Sequence, residues 1–154
     1  MIYRQQKLRS AHKLILFLSI LVLGCSLSAC TAAGPYVRIN GQTVNVEVVK
    51  SLEKQALGLM YRTEMAADHG MLFIYPRAVP MSFWMKNTKI YLDIIYFDQN
   101  LKLINISANT PPCRTPTCPG YPSAAPAQYV LEINGGLAAQ WKLEPGDLLE
   151  LHLD

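Results

Sequence analysis

The sequence lacks any block of basic residues that could follow a phosphate backbone. Four of its 14 lysines and arginines lie before residue 30, where there are no acidic residues, so ten basic residues face eleven acidic ones from Cys30 onward. The formal charge of +3 for the whole chain therefore becomes −1 for this part. Because nucleic-acid-binding domains depend on a basic stripe, we exclude nucleic acid as a partner.

The sequence also lacks the patterns that mark common enzymes and metal sites. No serine has the flanking glycines of a nucleophile elbow, no glycine-rich phosphate loop is present, and no histidine stands near Cys113 and Cys118 to complete a zinc site. Ordinary hydrolase, nucleotide-binding and zinc functions are therefore not expected, and no cofactor is predicted.

Residues 1–29 have the organisation of a bacterial lipoprotein signal. Basic residues precede a short apolar segment, Leu14 to Leu23, and Leu27-Ser28-Ala29 stands directly before Cys30. The apolar segment is too short to span a bilayer, which needs about 20 residues. We predict cleavage before Cys30 and lipidation of that cysteine; an uncleaved N-terminal anchor is the alternative.

The residues around the cleavage point set the expected location and domain organisation. Thr31 rather than an aspartate follows Cys30, which by resemblance to lipoprotein sorting signals favours the outer membrane. We therefore expect a lipid-anchored protein of the bacterial cell envelope that faces the periplasm. It would have a tether at residues 30–35 and a single β-rich domain at 36–154. Cys25 is a weaker alternative cleavage site.

Cys113 and Cys118 are the only cysteines after Cys30. In an oxidising compartment a close, even pair of cysteines indicates a disulfide. A metal or redox pair is the alternative, although redox pairs prefer two intervening residues at a helix start. The pair lies in a long, proline-rich loop at residues 109–126, and connections of that length are uncommon without a function.

The rest of the chain predicts a mostly β domain. Asn40-Gly41 between two apolar runs indicates a hairpin, and Val44 to Val48 alternates with the period of a half-buried strand. Ser51 is placed to cap a helix in which Leu52, Ala56, Leu59 and Met60 would form the apolar face. Short strands with turns between them favour a compact sandwich or jelly-roll-like fold with one or two short helices.

Two sequence runs identify a family. They are Gly58-Leu59-Met60-Tyr61-Arg62 and Phe83-Trp84-Met85-Lys86-Asn87-Thr88, followed by Leu131-Glu132-Ile133-Asn134-Gly135-Gly136. Together they closely resemble the domain-of-unknown-function 192 family over essentially the whole mature domain. The resemblance implies a small, mostly β fold that often carries an export signal. It implies no reaction, because the biochemical function of the family is not established.

Two acidic residues lie within apolar strands. Asp93 lies in Ile90 to Ile95 and Glu132 in Val130 to Ile133, where a carboxylate is costly unless it is paired or hydrogen-bonded. They would be structural anchors, with Arg62 and Lys86 as candidate partners for Asp93. Alternatively, they would be a general acid/base pair of an envelope enzyme that acts on a glycan-type substrate.

A polar cluster within apolar strands suggests a ligand site. Our leading hypothesis is a non-enzymatic binding or accessory module that takes a small polar ligand, such as a sugar or peptide, or an envelope protein. Its candidate binding residues are Arg62, Trp84, Lys86, Asn87, Thr88, Asp93 and Glu132.

A third hypothesis is a methionine-rich Cu(I)-binding lipoprotein. Thioethers are soft ligands that suit Cu(I), and Met81, Met85 and His69 are weak candidates for such a site. Methionine is also a common filler of apolar cores, so no metal site is predicted.

Overall fold

The computed structural model describes residues 34–153, and the predicted signal peptide, Cys30 and the first residues of the tether lie outside the described residues. Within the described part, nine strands and two short helices follow one another along the chain. The strands are β1 Tyr36–Ile39, β2 Gln42–Val49, β3 His69–Val79, β4 Ser82–Trp84, β5 Leu92–Phe97, β6 Leu103–Thr110, β7 Gly120–Pro122, β8 Ala127–Asn134 and β9 Leu149–His152. The helices are α1 Leu52–Leu57, between β2 and β3, and α2 Leu137–Gln140, between β8 and β9.

Seven strands form one curled sheet in the order β6-β5-β8-β3-β2-β1-β9, and β4 pairs with β7 in a small second sheet. All neighbours are antiparallel except β2 and β3, whose parallel pairing requires the crossover that contains α1. The two outermost strands meet at one end, where Leu103 N–H donates to Asp147 at 2.8 Å and Leu149 N–H donates to Leu101 at 2.9 Å. The predicted mostly β fold with two short helices is confirmed.

The sheet buries both of its faces. The inner face, enclosed by the curl, carries one apolar cluster: Val37, Ile39, Val44, Val46, Leu72, Ile95, Phe97, Leu103, Leu131, Ile133 and Leu149, with Ala138 and Leu143 from α2 and its C-terminal side. The outer face carries a second cluster, built from Val49, Met71, Phe73, Leu92, Ile94, Tyr96, Ala127 and Val130, with Leu59 and Met85 from the loops that cover it. Every residue of β5 is buried as a result.

Asp93 on β5 points to the inner face, where it joins three parts of the chain. Its carboxyl oxygens accept hydrogen bonds from the backbone N–H groups of Asn109 at 2.6 Å, Gly136 at 3.0 Å and Ala138 at 2.7 Å. Gly136 is the N-cap of α2 and has no side chain that could accept a hydrogen bond from the first turn of the helix. Asp93 on β5 supplies the missing acceptor. The structure thus assigns Asp93 the anchoring role.

Helix α1 differs from its sequence prediction. Ser51 caps it as expected, with its hydroxyl accepting from Lys54 N–H at 3.4 Å, but the helix ends at Gly58, whose φ is 49°. No residue of α1 is buried, and Leu52 is 84% exposed. Leu59 is buried only after the helix has ended. The prediction of a helix with a buried apolar face was therefore wrong, because the helix ends before Leu59 and Met60 could join that face.

The long proline-rich segment is a cover for the outer face. It contains β7, and Tyr96 donates from its hydroxyl to the Tyr121 carbonyl at 2.6 Å. Cys113 and Cys118 form a disulfide with their Cα atoms 5.7 Å apart, and Cys113 N–H donates to the Met85 carbonyl at 3.3 Å. Among residues 34–153, no helix combines the length and apolar composition needed for a membrane span.

Replacing Asp93 with asparagine tests its anchoring role. The amide keeps one acceptor oxygen but directs its NH₂ group at backbone N–H donors, so we expect a loss of about 3 kcal/mol in the free energy of unfolding. Urea denaturation measures this loss. The matched control is Asp98→Asn, because Asp98 also accepts two backbone N–H bonds but at an exposed turn. Equal losses in both variants would contradict the anchoring role.

Candidate functional site

The two family runs meet outside the sheet at Tyr61 and Asn87. Tyr61 N–H donates to the Asn87 carbonyl at 2.9 Å, and the Asn87 side-chain amide donates to the Tyr61 hydroxyl at 2.9 Å. Both residues have left-handed backbones, with φ of 67° and 57°. Such conformations are costly for residues other than glycine and recur at binding sites. The reciprocal bonds hold the two segments in one fixed arrangement.

Beside this junction lies an open cleft of 270 Å³, here called the basic cleft. Its lining is Tyr61, Asn87, Thr88, Lys89, Pro112, Cys113 and Arg114. Lys89 and Arg114 are both exposed, and the lining contains no acidic residue. The disulfide-bonded loop forms one wall, so it helps to define a binding surface as well as to cover the core. The cleft favours an anionic or polar ligand.

Trp84 and Lys86 lie on the outward side of the segment that begins with β4. Trp84 is 52% exposed, and the Lys86 ammonium lies 5.1 Å from the centroid of its indole ring, a cation–π distance. Phe83 and Met85, the alternate residues, pack into the outer cluster. Inward and outward side chains alternate from Phe83 to Lys86, and the alternation stops there because β4 ends at Trp84 and Asn87 turns the chain.

Glu132 lies on the outer face in the centre of the sheet and is only 5% exposed. No hydrogen bond to another residue between 34 and 153 acts on its carboxyl group, whose environment is set by burial alone. It lines a cavity of 30 Å³, here called the Glu132 cavity, together with the segment Gln55–Met60 and Phe73, Phe83, Trp84 and Thr88. Burial raises the pKa of this carboxyl from its usual value of 4.5 to about 8.

The proposed acid/base pair of Asp93 and Glu132 is wrong. In the pairing of β5 with β8, Asp93 lies opposite Ile133, which belongs to the inner cluster, whereas Glu132 lies opposite Ile94 of the outer cluster. Cross-strand partners share a face of the sheet, so the two carboxyl groups point in opposite directions. The bonds that occupy Asp93 also remove it from the candidate ligand site, since it is 0% exposed.

Arg62 also lies apart from the other candidates. It forms a two-pronged ion pair with Glu47, in which Nη2 donates to Oε2 at 2.6 Å and Nη1 donates to Oε1. This hydrogen-bonded guanidinium lowers the pKa of the Glu47 carboxyl. Neither Arg62 nor Lys86 contacts Asp93, so the expected pairing with either was wrong.

The three copper candidates lie in different settings. Met85 is 1% exposed within the outer cluster, and Met81 is half-buried against the same cluster. The His69 ring is exposed and lies 2.8 Å from the Asp68 carboxylate. In the part of the chain that the structure describes, no group of three His, Cys, Asp or Glu side chains could hold a metal ion. The arrangement gives the copper hypothesis no support.

The structure thus brings most, but not all, of the candidate residues together. Asn87 and Thr88 line the basic cleft, and Trp84, Thr88 and Glu132 line the neighbouring cavity. Sequence reasoning missed Tyr61, Lys89 and Arg114. Tyr61 lies inside a family run, which was the one available signal; the approach of Arg114 depends on the path of the long loop.

Comparison with known proteins shows the family and the fold of this chain. The sequence model of the DUF192 family, described as "Uncharacterized ACR", matches residues 36–151, and the chain belongs to this family. A crystal structure of a protein of unknown function from Novosphingobium aromaticivorans is similar, with 36% identity and a TM-score of 0.71 over 82% of this chain and 99% of that one. Another, from Sinorhizobium meliloti and described as a candidate transcription regulator, has 34% identity and a TM-score of 0.69 over 79% and 96%. No protein with a curated function matches the chain.

The raised pKa of Glu132 makes the stability of the protein depend on pH. Between pH 4.5 and 8 the folded state holds a proton that the unfolded state has lost, so the free energy of unfolding falls as pH rises through this window. The full loss, reached above pH 8, is about 5 kcal/mol. Urea denaturation from pH 4 to 9 should show this slope in the native chain and lose it in Glu132→Gln. The exposed-residue variant Glu64→Gln should keep it; equal slopes in all three proteins would contradict the assignment.

Proposed function

We propose that this protein is a lipid-anchored binding module that faces the periplasm from the outer membrane and takes an acidic glycan or peptide of the cell envelope. The basic cleft is the observation on which the proposal depends. It offers two cationic side chains, an amide and a phenol within one open groove that contains no opposing carboxylate. An extended anionic chain could contact all of them at once.

Charge complementarity supports the anionic class of ligand. Lys89 and Arg114 lie on different segments of the chain and line the same cleft. The guanidinium can bind a carboxylate through two parallel hydrogen bonds, and the ammonium contributes a mobile positive charge. The peptides attached to muramic acid carry such carboxylates.

The rigidity of the junction supports a binding role. Tyr61 and Asn87 are fixed by their reciprocal hydrogen bonds, and the disulfide constrains the opposite wall. A preformed cleft loses little conformational freedom when a ligand binds, which favours affinity.

The lining also favours binding over catalysis. It contains no histidine and no carboxylic acid that could transfer a proton, and its cysteine is held in the disulfide. We therefore propose a binding or accessory protein.

The Sinorhizobium relative is described as a candidate transcription regulator, but the charge of this chain does not favour binding to DNA. Basic and acidic residues are balanced at ten each between residues 34 and 153. A DNA-binding surface would need a clear excess of positive charge along one face. The lipoprotein-type signal also favours a location away from the genome.

Charge removal in the basic cleft tests the ligand class. Calorimetric titration of the purified protein with an N-acetylmuramyl peptide should give measurable binding, and the neutral chito-oligosaccharide of similar length should bind at least tenfold more weakly. In Lys89→Ala/Arg114→Ala we expect the affinity for the muramyl peptide to fall at least tenfold. The control, Lys50→Ala/Arg77→Ala, removes two exposed charges outside the cleft. Equal binding by both double variants would contradict the cleft as the site.

Replacing Cys30 tests the anchor. Lipidation supplies acyl chains that partition into a membrane at about 0.8 kcal/mol per buried methylene. We expect the native protein to sediment with outer membranes and to incorporate labelled fatty acid. Cys30→Ser should do neither, while Cys25→Ser should behave as the native protein does. Membrane sedimentation of Cys30→Ser would instead indicate an uncleaved N-terminal anchor.

A further inference from the structure

We propose that the Glu132 cavity is a subsite for a primary ammonium group carried by the same ligand that occupies the basic cleft. This proposal rests on the proposed function, since the cleft would position the rest of the ligand. It narrows the ligand class from an acidic chain to one with an amine beside its carboxylates.

The first support is a carboxyl group without a protein partner on a nearly buried residue, whose oxygens keep some accessible surface where Glu132 lines the cavity. Only 5% of the Glu132 surface is exposed to solvent. Buried polar groups are almost always hydrogen-bonded, and an exception calls for an explanation. Asp93, the other buried acidic residue of the sheet, accepts three hydrogen bonds. The lack of a hydrogen-bond partner is therefore specific to Glu132.

The second support is the chemistry of the cavity walls. Phe73, Phe83 and Trp84 line the cavity together with Glu132, and the ring centroids of Phe73 and Phe83 are 5.0 Å apart, edge to face. Aromatic faces combined with one carboxylate attract a cation. An anion would be repelled by the carboxylate, and an apolar group would leave the carboxyl unpaired. An ammonium group can pair with the Glu132 carboxylate and also lie against the aromatic rings.

The third support is size and position. A cavity of 30 Å³ has room for a group about as large as a water molecule, such as a terminal ammonium, and not for a sugar ring. Thr88 lines both this cavity and the basic cleft. A ligand that fills the cleft would therefore need only a short, flexible arm to reach Glu132.

Binding would change the protonation of Glu132. The phenols of Tyr75 on β3 and Tyr96 on β5 are the titratable groups that respond to its charge, and the pKa of each is raised by burial first and by the charge of Glu132 after it. With no cation nearby, Glu132 holds its proton at neutral pH. When the ammonium enters, the carboxyl proton passes to solvent and the carboxylate pairs with the ammonium, so one proton is released for each ligand bound.

Two peptides that differ at a single amine test this proposal. N-acetyl-Ala-Glu-Lys has one free ε-amine and two carboxylates, and its Nε-acetyl form keeps the carboxylates without the amine. At pH 7.5 we expect the free amine to bind at least tenfold more tightly, with release of a substantial fraction of a proton. Calorimetry in buffers of different ionisation enthalpy measures both quantities. Glu132→Gln should bind the two peptides equally, whereas the exposed-residue control Glu64→Gln should retain the preference.

Each result has a distinct meaning. Equal binding of both peptides to the native protein, without proton release, would overturn the ammonium subsite and leave the basic cleft as the binding site. Binding of neither peptide, with the muramyl peptide also inactive, would contradict the proposed function itself. A preference for the free amine that persists in folded Glu132→Gln would place the ammonium elsewhere and also overturn the proposal.

Discussion

Burial of the central strands on both faces is the constraint on which this structure depends. Every side chain of β5 is buried, and its neighbour β8 lies between β5 and β3 in the middle of the sheet. A charged group in such a position must find partners or give up its charge. Asp93 finds three backbone donors and ties the end of β6 and the start of α2 to β5. Glu132 finds none among the described residues, and its pKa rises accordingly.

This contrast separates structure from function within the domain. The inner face is closed by the curl of the sheet and holds its polar group in a complete set of hydrogen bonds. The outer face is closed by loops and the small sheet, and the two family runs meet there at Tyr61 and Asn87. Thr88 lines both the basic cleft and the Glu132 cavity. A binding site formed where covering segments meet can vary without disturbing the inner core.

Local patterns predicted much of the fold and some of the site. Alternation and turn residues indicated most strands, and position within apolar runs showed that Asp93 and Glu132 would be buried and costly. Their opposite orientation depends on the register between β5 and β8, which are far apart in sequence, so no local pattern could reveal it. The position of Arg114 depends likewise on how the disulfide loop folds back. Leu52 was misassigned because helical spacing gives no information on where a helix stops.

The state of the Glu132 carboxyl is the central claim, and it can be measured directly. The side-chain carboxyl carbons of glutamate can be labelled with ¹³C and titrated by NMR in the folded, ligand-free protein, with the Glu132 signal assigned by its loss in Glu132→Gln. A buried carboxyl without hydrogen-bond partners should titrate with a midpoint near pH 8. A midpoint near the usual value of 4.5 would show that the group is solvated or paired, and would contradict the structural basis of the cavity's proposed role.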